Sequence, residues 1–191
     1  VVRIRKVDSG NQSDEQSTLP APGQFVEATQ HGDISGWTQV GNQAGSNPGG
    51  FYDDPAGNSY YIKQARSQSH ADNEALASAF YKELGVPAAE VGFGEKDGVL
   101  HLVTPLIDGA TPNFEEKVYG GDSEYVKKVQ DNFAVDAWLA NYDIVGMVYD
   151  NVVSDANGEP VRVDPGGALM WRAQGKPKPW FGDTVDELAR C

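Results

Sequence analysis

Three residues with oxygen-bearing side chains stand out between Phe133 and Gly167: Asp143, Asn151 and Asp164. Each lies next to a short apolar segment, and two glycines follow Asp164 in the sequence Val-Asp-Pro-Gly-Gly. Mg²⁺ prefers hard oxygen ligands and completes its shell with water and phosphate oxygens. A phosphoryl-transfer site also needs a carboxylate that orients the attacking hydroxyl. The pattern therefore indicates a magnesium–nucleotide site, with Asn151 and Asp164 as metal ligands and Asp143 as the base.

Each assignment has an ordinary structural alternative. An aspartate after a helix, such as Asp143, is usually a cap or turn residue. Asp164 precedes Pro165 and could simply form a turn, and Asp150 is a rival to Asn151 as metal ligand. The assignments therefore depend on the elements around them.

A glycine-rich segment, GNQAGSNPGG at residues 41–50, is predicted as a loop between strands at 37–40 and 51–52. Glycines let backbone N–H groups approach phosphates closely, although most such loops are plain turns. No Gly-Lys-Ser/Thr follows and no helix opens here, so this is not a Walker A motif. The candidate nucleotide contacts are Gly45, Ser46, Asn47, Gly49 and Gly50.

A lysine and a glutamate follow the loop in order. Lys63 lies in a predicted strand at residues 59–64, after a hairpin turn at 53–58, and could be an ordinary edge-strand lysine. Glu74 lies in the first turn of a predicted helix, where a glutamate also favours the helix dipole. We expect Ser69 and Asp72 to cap this helix. Its apolar stripe is predicted as Leu76, Phe80 and Leu84.

The elements that must position the acidic residues follow. Strands are predicted at 88–95 and 99–105, a loop at 111–121 and a single amphipathic helix at 123–140. Apolar residues recur in this helix at Val126, Val129, Phe133, Ala137 and Ala140, with Trp138 and Leu139 also expected inside. Two further strands, 151–154 and 160–163, are predicted around an Asp-Ala-Asn-Gly turn.

This order of residues resembles the catalytic and metal-binding segments of the protein-kinase-like superfamily. Asp-Pro-Gly-Gly-Ala-Leu stands where typical kinases have Asp-Phe-Gly, and Asn-Tyr-Asp stands where they have His-Arg-Asp. The chain is more similar to the HipA-like and phosphatidylinositol 3/4-kinase-like branch, including bacterial and phage domains. Asn151 and Asp164 are thirteen positions apart, as in the family, whereas Asp143 and Asn151 are eight apart instead of five.

The resemblance covers about residues 40–183 and implies an α+β, two-lobed kinase-like fold. Residues 1–35 would be an N-terminal extension, 36–107 a β-rich lobe and 108–191 a small, mostly helical lobe; within the extension, 1–7 could be a strand and 8–24 a linker. A short helix is expected at 184–190. Lys63, oriented by Glu74, would hold the α and β phosphates of ATP. Adenine would bind a hinge near Thr104, Leu106 and Ile107.

The implied activity is Mg²⁺-dependent transfer of the γ-phosphate of ATP to a hydroxyl on a protein or a small molecule. Two alternatives remain open. Related folds can transfer AMP, and others are inactive interaction modules, such as a pseudokinase or a phage structural domain. The altered spacing and the missing His-Arg before Asp143 leave room for both.

The net charge of −13 argues against a nucleic-acid partner, because phosphate backbones are bound by clustered Lys and Arg. A small basic cluster of Arg172, Lys176 and Lys178 could receive an anionic substrate or could be a solvated loop. No signal peptide or membrane span is predicted. The single cysteine, Cys191, suits a reducing cytoplasm, and a secreted effector or a phage-protein domain is the alternative.

Overall fold

The computed structural model describes residues 28–146, 148–172 and 175–179. The predicted segments 1–7, 8–24 and 184–190 lie outside these described residues. None of the described helices is long and apolar enough to cross a membrane.

A six-stranded sheet carries the N-terminal half of the described chain, in the order β1-β5-β6-β4-β3-β2. Its strands are β1 (Gln30–Asp33), β2 (Thr38–Gly41), β3 (Gly49–Asp53), β4 (Ser59–Gln64), β5 (Gly92–Lys96) and β6 (Val99–Pro105). β1 runs parallel to β5, and the other neighbours are antiparallel. β1 was not predicted, because its sequence Gln-His-Gly-Asp has no alternating apolar pattern and its position depends on β5.

The predicted hairpin between β3 and β4 is confirmed. The Asp54 carboxylate accepts hydrogen bonds from the backbone N–H groups of Ala56 and Asn58, each at 2.8 Å. This local hydrogen bonding is the reason aspartate favours such turns. The hairpin fixes the register of β4 and therefore places Lys63 opposite Leu102 of β6 and Gly49 of β3.

Helix α1 (Gln68–Glu83) follows β4, but the predicted cap is wrong. Ser67, in an extended conformation, accepts the His70 N–H at 3.2 Å, so the helix begins before Ser69. The predicted apolar stripe is also only partly correct, since Leu84 is 48% exposed. The buried face is made mainly of small residues and a tyrosine: Ala71, Ala75, Ala77 and Tyr81.

The single helix predicted at 123–140 is two helices, α3 (Ser123–Asp131) and α4 (Phe133–Trp138). Asn132 lies between them and donates its side-chain N–H to the Lys128 carbonyl, a competition with the helix backbone that is typical of asparagine. The break turns Phe133 and Trp138 outward, with 41% and 42% exposure, while Leu139 is buried as predicted. A further helix, α2 (Phe114–Tyr119), lies where a loop was predicted.

The last strands, β7 (Val152–Ser154) and β8 (Pro160–Arg162), form the predicted hairpin. β8 is also joined to the segment after α1, because Arg162 donates its N–H to the Pro87 carbonyl and accepts the Ala89 N–H, at 3.0 and 2.8 Å. A core cluster packs Ala77 and Tyr81 of α1 against Leu139, Ala168 and Leu169. Helix α1 therefore touches the segments that precede Asp143 and follow Asp164.

Candidate active site

Lys63 lies between two carboxylates that come from distant parts of the chain. Its ammonium nitrogen Nζ is 2.7 Å from Glu74 Oε1 of α1 and 2.8 Å from Asp164 Oδ1, just after β8. The predicted ion pair between Lys63 and Glu74 is therefore present. Lys63 and Glu74 are buried, whereas the Asp164 side chain is 54% exposed. The triad joins the sheet, α1 and the turn after β8 at one point, with Asp164 on its open side.

The backbone around Asp164 is shaped for this approach. Asp164 has a φ of 55°, a left-handed conformation that aspartate tolerates better than most residues. Pro165 then begins a 3₁₀ turn, Pro165–Gly167. A Cβ atom on Gly166 would lie 2.9 Å from Glu74 Oε2, closer than real contacts allow. The glycine is therefore what lets the loop pack against the glutamate.

Burial and mutual charge together shift the pKa values of Lys63, Glu74 and Asp164. Burial acts to lower the pKa of Lys63, but the carboxylates of Glu74 and Asp164 outweigh it, and the pKa is well above its ordinary value. Burial raises the pKa of Glu74 to about 7, although Lys63 opposes the shift. Asp164 also feels desolvation, but the Lys63 charge outweighs this and the pKa falls below its usual range. Asp164 is therefore an ionised carboxylate that faces the solvent.

Asp143 and Asn151 are held together by the intervening loop in spite of their long spacing. The Asn151 side chain donates its N–H to the Asp143 carbonyl at 2.7 Å. The loop closes because Gly146, with a φ of 71°, packs directly against Asp150 and Asn151. Burial, followed by the negative charges of Asp164 and Asp150, raises the pKa of Asp143. The three residues of the predicted magnesium–nucleotide site therefore lie in one region.

Asn151 lies next to the segment that leads from β8 to Asp164, since the Val163 N–H donates to the Asn151 carbonyl at 2.9 Å. Within the described residues, no group of three or more His, Cys, Asp or Glu side chains could hold a metal. An amide and a carboxylate fit Mg²⁺, which is typically held by one or two carboxylates and by water and phosphate oxygens. Asp164 and Asn151 supply that kind of donor set.

The glycine-rich segment differs from its prediction. Gly49 and Gly50 lie in β3, so the loop ends at Pro48. A Cβ on Gly49 would lie 2.2 Å from the Ile62 carbonyl oxygen, so close strand packing alone accounts for this glycine. The remaining loop, which includes Gly45 and Asn47, is tied down at two points. Tyr61 bonds the backbone of Ala44. Arg66 donates to Ser46 Oγ at 3.2 Å.

The predicted adenine segment lies at the end of β6. Thr104 is in the strand, and Leu106 and Ile107 follow it. The Leu106 N–H donates to the Ser59 carbonyl at 3.0 Å, and the Ile107 carbonyl accepts the Ala110 N–H at 3.1 Å. These two backbone groups are therefore already hydrogen-bonded within the protein.

Lys178 was predicted within a basic surface cluster, but its ammonium turns inward. It donates to the backbone carbonyls of Ala140 and Leu169, with Gly167 at 3.3 Å, and it lies 5.0 Å from the centre of the Tyr142 ring. The open-cluster expectation is wrong for this residue. Both Ala140 and Leu169 have positive φ angles, so these carbonyls lie outside regular helix or strand.

A second group that sequence reasoning missed is buried behind the site. Arg162 and Asp136 form an ion pair at 2.6 Å, with each side chain 2% exposed. Tyr81 donates to Asp136 at 2.9 Å and accepts from Asn141 at 2.9 Å. The available signal was a charged residue inside each of two apolar segments, at Asp136 and Arg162.

Comparison with known proteins gives a fold and no family. No protein-family profile matches this chain, and no curated protein matches its sequence. Among solved structures, it is similar to the crystal structure of a Helicobacter pylori proinflammatory kinase, CtkA, with a TM-score of 0.55 and 15% identity. The match covers 74% of this chain and 61% of that chain, less than two thirds of the kinase's length. At this identity the likeness concerns the fold alone: the chain has a kinase-like, mixed α+β fold.

Proposed function

We propose that this protein is an atypical kinase that transfers the γ-phosphate of ATP to a hydroxyl group. The observation that carries the proposal is the Lys63 ammonium held between Glu74 and Asp164 at 2.7 and 2.8 Å. In active protein kinases a strand lysine pairs with a helix glutamate, and a metal-binding aspartate must also be in place. The similarity of the fold to that of CtkA supports the same reaction class.

Each residue receives one role. Lys63, oriented by Glu74, would bind the α and β phosphates in exchange for part of its contact with Asp164. Asn151 and Asp164 would hold Mg²⁺, which neutralises phosphate charge when bound. Asp143 would orient the acceptor hydroxyl, and its raised pKa suits a group that takes up a proton. Positioning and charge neutralisation would carry most of the rate enhancement.

Substrate contacts belong to the same proposal. Gly45, Ser46 and Asn47 would cover the phosphates, while Gly49 and Gly50 shape the strand that begins there. Adenine would lie against Thr104, Leu106 and Ile107. We further propose that residues 36–107 and 108–191 act as the two lobes around ATP, and that the kinase is of the HipA-like or phosphatidylinositol 3/4-kinase-like type. The acceptor would be a protein or a small molecule in a reducing compartment.

Transfer of label from ATP tests the reaction. The protein is incubated with Mg²⁺ and ATP labelled in either the γ or the α phosphate, and label is followed into the protein itself, dephosphorylated casein and released phosphate. We expect γ label to be transferred or released. Asp164→Asn should lower this rate by at least about a hundredfold, whereas Asp131→Asn, a control on the exposed face of α3, should not change it.

Other outcomes assign other functions. Transfer of α label would replace phosphoryl transfer with AMP transfer at the same site. Absence of both labels from every product, with the protein folded, would contradict enzymatic activity and leave an interaction module with a kinase-like fold.

A further inference from the structure

Four buried polar side chains form one connected hydrogen-bonded network. They are Tyr81 of α1, Asp136 of α4, Asn141 after α4 and Arg162 of β8, here called the buried tetrad. All four are at most 7% exposed. Arg162 bonds Asp136 through two parallel hydrogen bonds, from Nε at 2.7 Å and from Nη2 at 2.6 Å.

At one end, the tetrad contacts the loop that carries Asp143. Asn141 donates to the Tyr81 hydroxyl at 2.9 Å and accepts the backbone N–H of Asp143 at 3.1 Å. The Tyr81 hydroxyl in turn donates at 2.9 Å to Asp136 Oδ1, the oxygen that also accepts the hydrogen bond from Arg162 Nε. A continuous chain of hydrogen bonds therefore runs from the backbone of the proposed base to Arg162.

Two members of the tetrad lie on elements next to the remaining site residues. Arg162 is the last residue of β8, two positions before Asp164, and Tyr81 lies seven positions after Glu74, two turns along α1. The tetrad therefore joins α1, which carries Glu74, to β8, which leads into Asp164, and to the segment that carries Asp143.

Simple stabilisation is a weak explanation for this arrangement. A buried ion pair loses hydration on both charges, so replacing it with apolar residues is often neutral or favourable. Its best-supported use is to specify one arrangement of the elements it joins. Shared acceptors and fixed bidentate geometry make this network specific to a single register of α1, α4 and β8.

We propose that the buried tetrad is a set of positioning residues, which holds the Asp143 loop in register with Glu74 and Asp164. This inference rests on the proposed phosphotransferase function. The tetrad touches neither substrate nor metal, and it acts through the backbone of Asp143 and through β8.

The test compares two conservative substitutions. Tyr81→Phe removes one hydroxyl and breaks the link between Asn141 and Asp136. Tyr125→Phe is the matched control, because Tyr125 is also buried and its hydroxyl accepts a hydrogen bond from Ser154 at 3.2 Å outside the tetrad. We expect Tyr81→Phe to lower γ-phosphate turnover by about tenfold or more, with the KM for ATP within about twofold of wild type. Tyr125→Phe should leave both unchanged.

A double-mutant cycle asks whether the tetrad acts as a unit. Asn141→Ala removes the acceptor of the Asp143 N–H and should lower turnover at least as much as Tyr81→Phe. The double variant should be no slower than Asn141→Ala alone, because the same connection is already broken. Rate losses that multiply in the double variant would overturn the proposal.

Hydrogen exchange gives a measurement that does not depend on turnover. In the protein without nucleotide, Tyr81→Phe should speed amide exchange in the peptide covering residues 139–146, and Tyr125→Phe should not. Equal exchange in the two variants would overturn the positioning role, even if the wild type proves to be a kinase. Faster exchange in Tyr81→Phe alone, in a protein without turnover, would support the positioning role and contradict only the proposed reaction.

Discussion

At the scale of single residues, Lys63 determines the electrostatics of the site. Its one positive charge is shared by Glu74, which is 1% exposed, and by Asp164, which is open to solvent. Mg²⁺ bound to a nucleotide would compete with Lys63 for Asp164. Lys63 would then contact Glu74 and the phosphates. In the proposed function, the buried glutamate would keep the lysine in place when its second partner changes.

The buried glutamate predicts a pH dependence of stability. Its pKa is raised from 4.5 to about 7 in the folded protein, so the folded state holds a proton that the unfolded state releases. The contribution is complete below about pH 4.5 and is lost as the pH rises to about 7. Relative to Glu74→Gln, the unfolding free energy of the wild type should fall in this window by on the order of 2–3 kcal/mol. Urea denaturation at several pH values measures it, and a difference that stays constant or rises would contradict the account.

Lys178 gives a second prediction at this scale. Lys178→Met keeps a long unbranched side chain but removes the ammonium that donates to the Ala140 and Leu169 carbonyls. We expect a loss of about 1–3 kcal/mol of unfolding free energy, because buried acceptors lose their partner. Lys176→Met, at an exposed neighbour, should change it by less than about 0.5 kcal/mol. Equal effects in thermal or urea denaturation would show that the inward contacts contribute nothing.

The pairing of Lys63 with Glu74 could be predicted from the order of the motifs, and Asp164 joins the pair. Glu74 was predicted in the first turn of α1 but lies in the second, because the helix begins at Gln68. Lys178 and Arg162 could not be predicted, because a charge in a sequence looks solvent-exposed until its partner is known. Their partners lie 38 and 26 positions away and meet them only through the fold.

At the scale of elements, the start of α1, the helix that carries Glu74, depends on the cap at Ser67. Ser67→Ala should cost about 1 kcal/mol, since the observed cap accepts the His70 N–H. Ser69→Ala, at the position first predicted as the cap, should cost clearly less. Urea denaturation of both variants measures the difference. A larger loss for Ser69→Ala would place the cap where the sequence pattern had suggested.

Periodicity predicted the existence of most elements better than their ends. The two hairpins with aspartate-rich turns were predictable because their hydrogen bonds are local. The break at Asn132 and the strand β1 were not, because tertiary packing decides them. Gly49 was likewise misjudged from the sequence alone. It was predicted in a phosphate-binding loop, but it lies in a strand, where the close approach of the Ile62 backbone requires a glycine.

At the scale of the whole molecule, the fold brings together segments that are about 100 positions apart, as Lys63 and Asp164 are. The class, a mixed α+β kinase-like fold, was predicted from the resemblance in motif order, and the structural similarity to CtkA supports it. Nothing in the described residues points to nucleic-acid binding, which agrees with the net charge of −13. The distances between Lys63, Glu74 and Asp164 depend on how the sheet, α1 and β8 pack together.

The most direct test of the central claim is the thermal stability of the protein with ATP, with and without Mg²⁺, in the wild type and in Asp164→Ala. A ligand that binds only the folded state adds about 2.7 kcal/mol at a hundred times its dissociation constant. We predict a Mg²⁺-dependent rise in melting temperature in the wild type that is lost in Asp164→Ala and kept in the surface control Asp131→Ala. Absence of the rise in the wild type, or its persistence in Asp164→Ala, would contradict the claim that Lys63, Glu74 and Asp164 form a magnesium–nucleotide site.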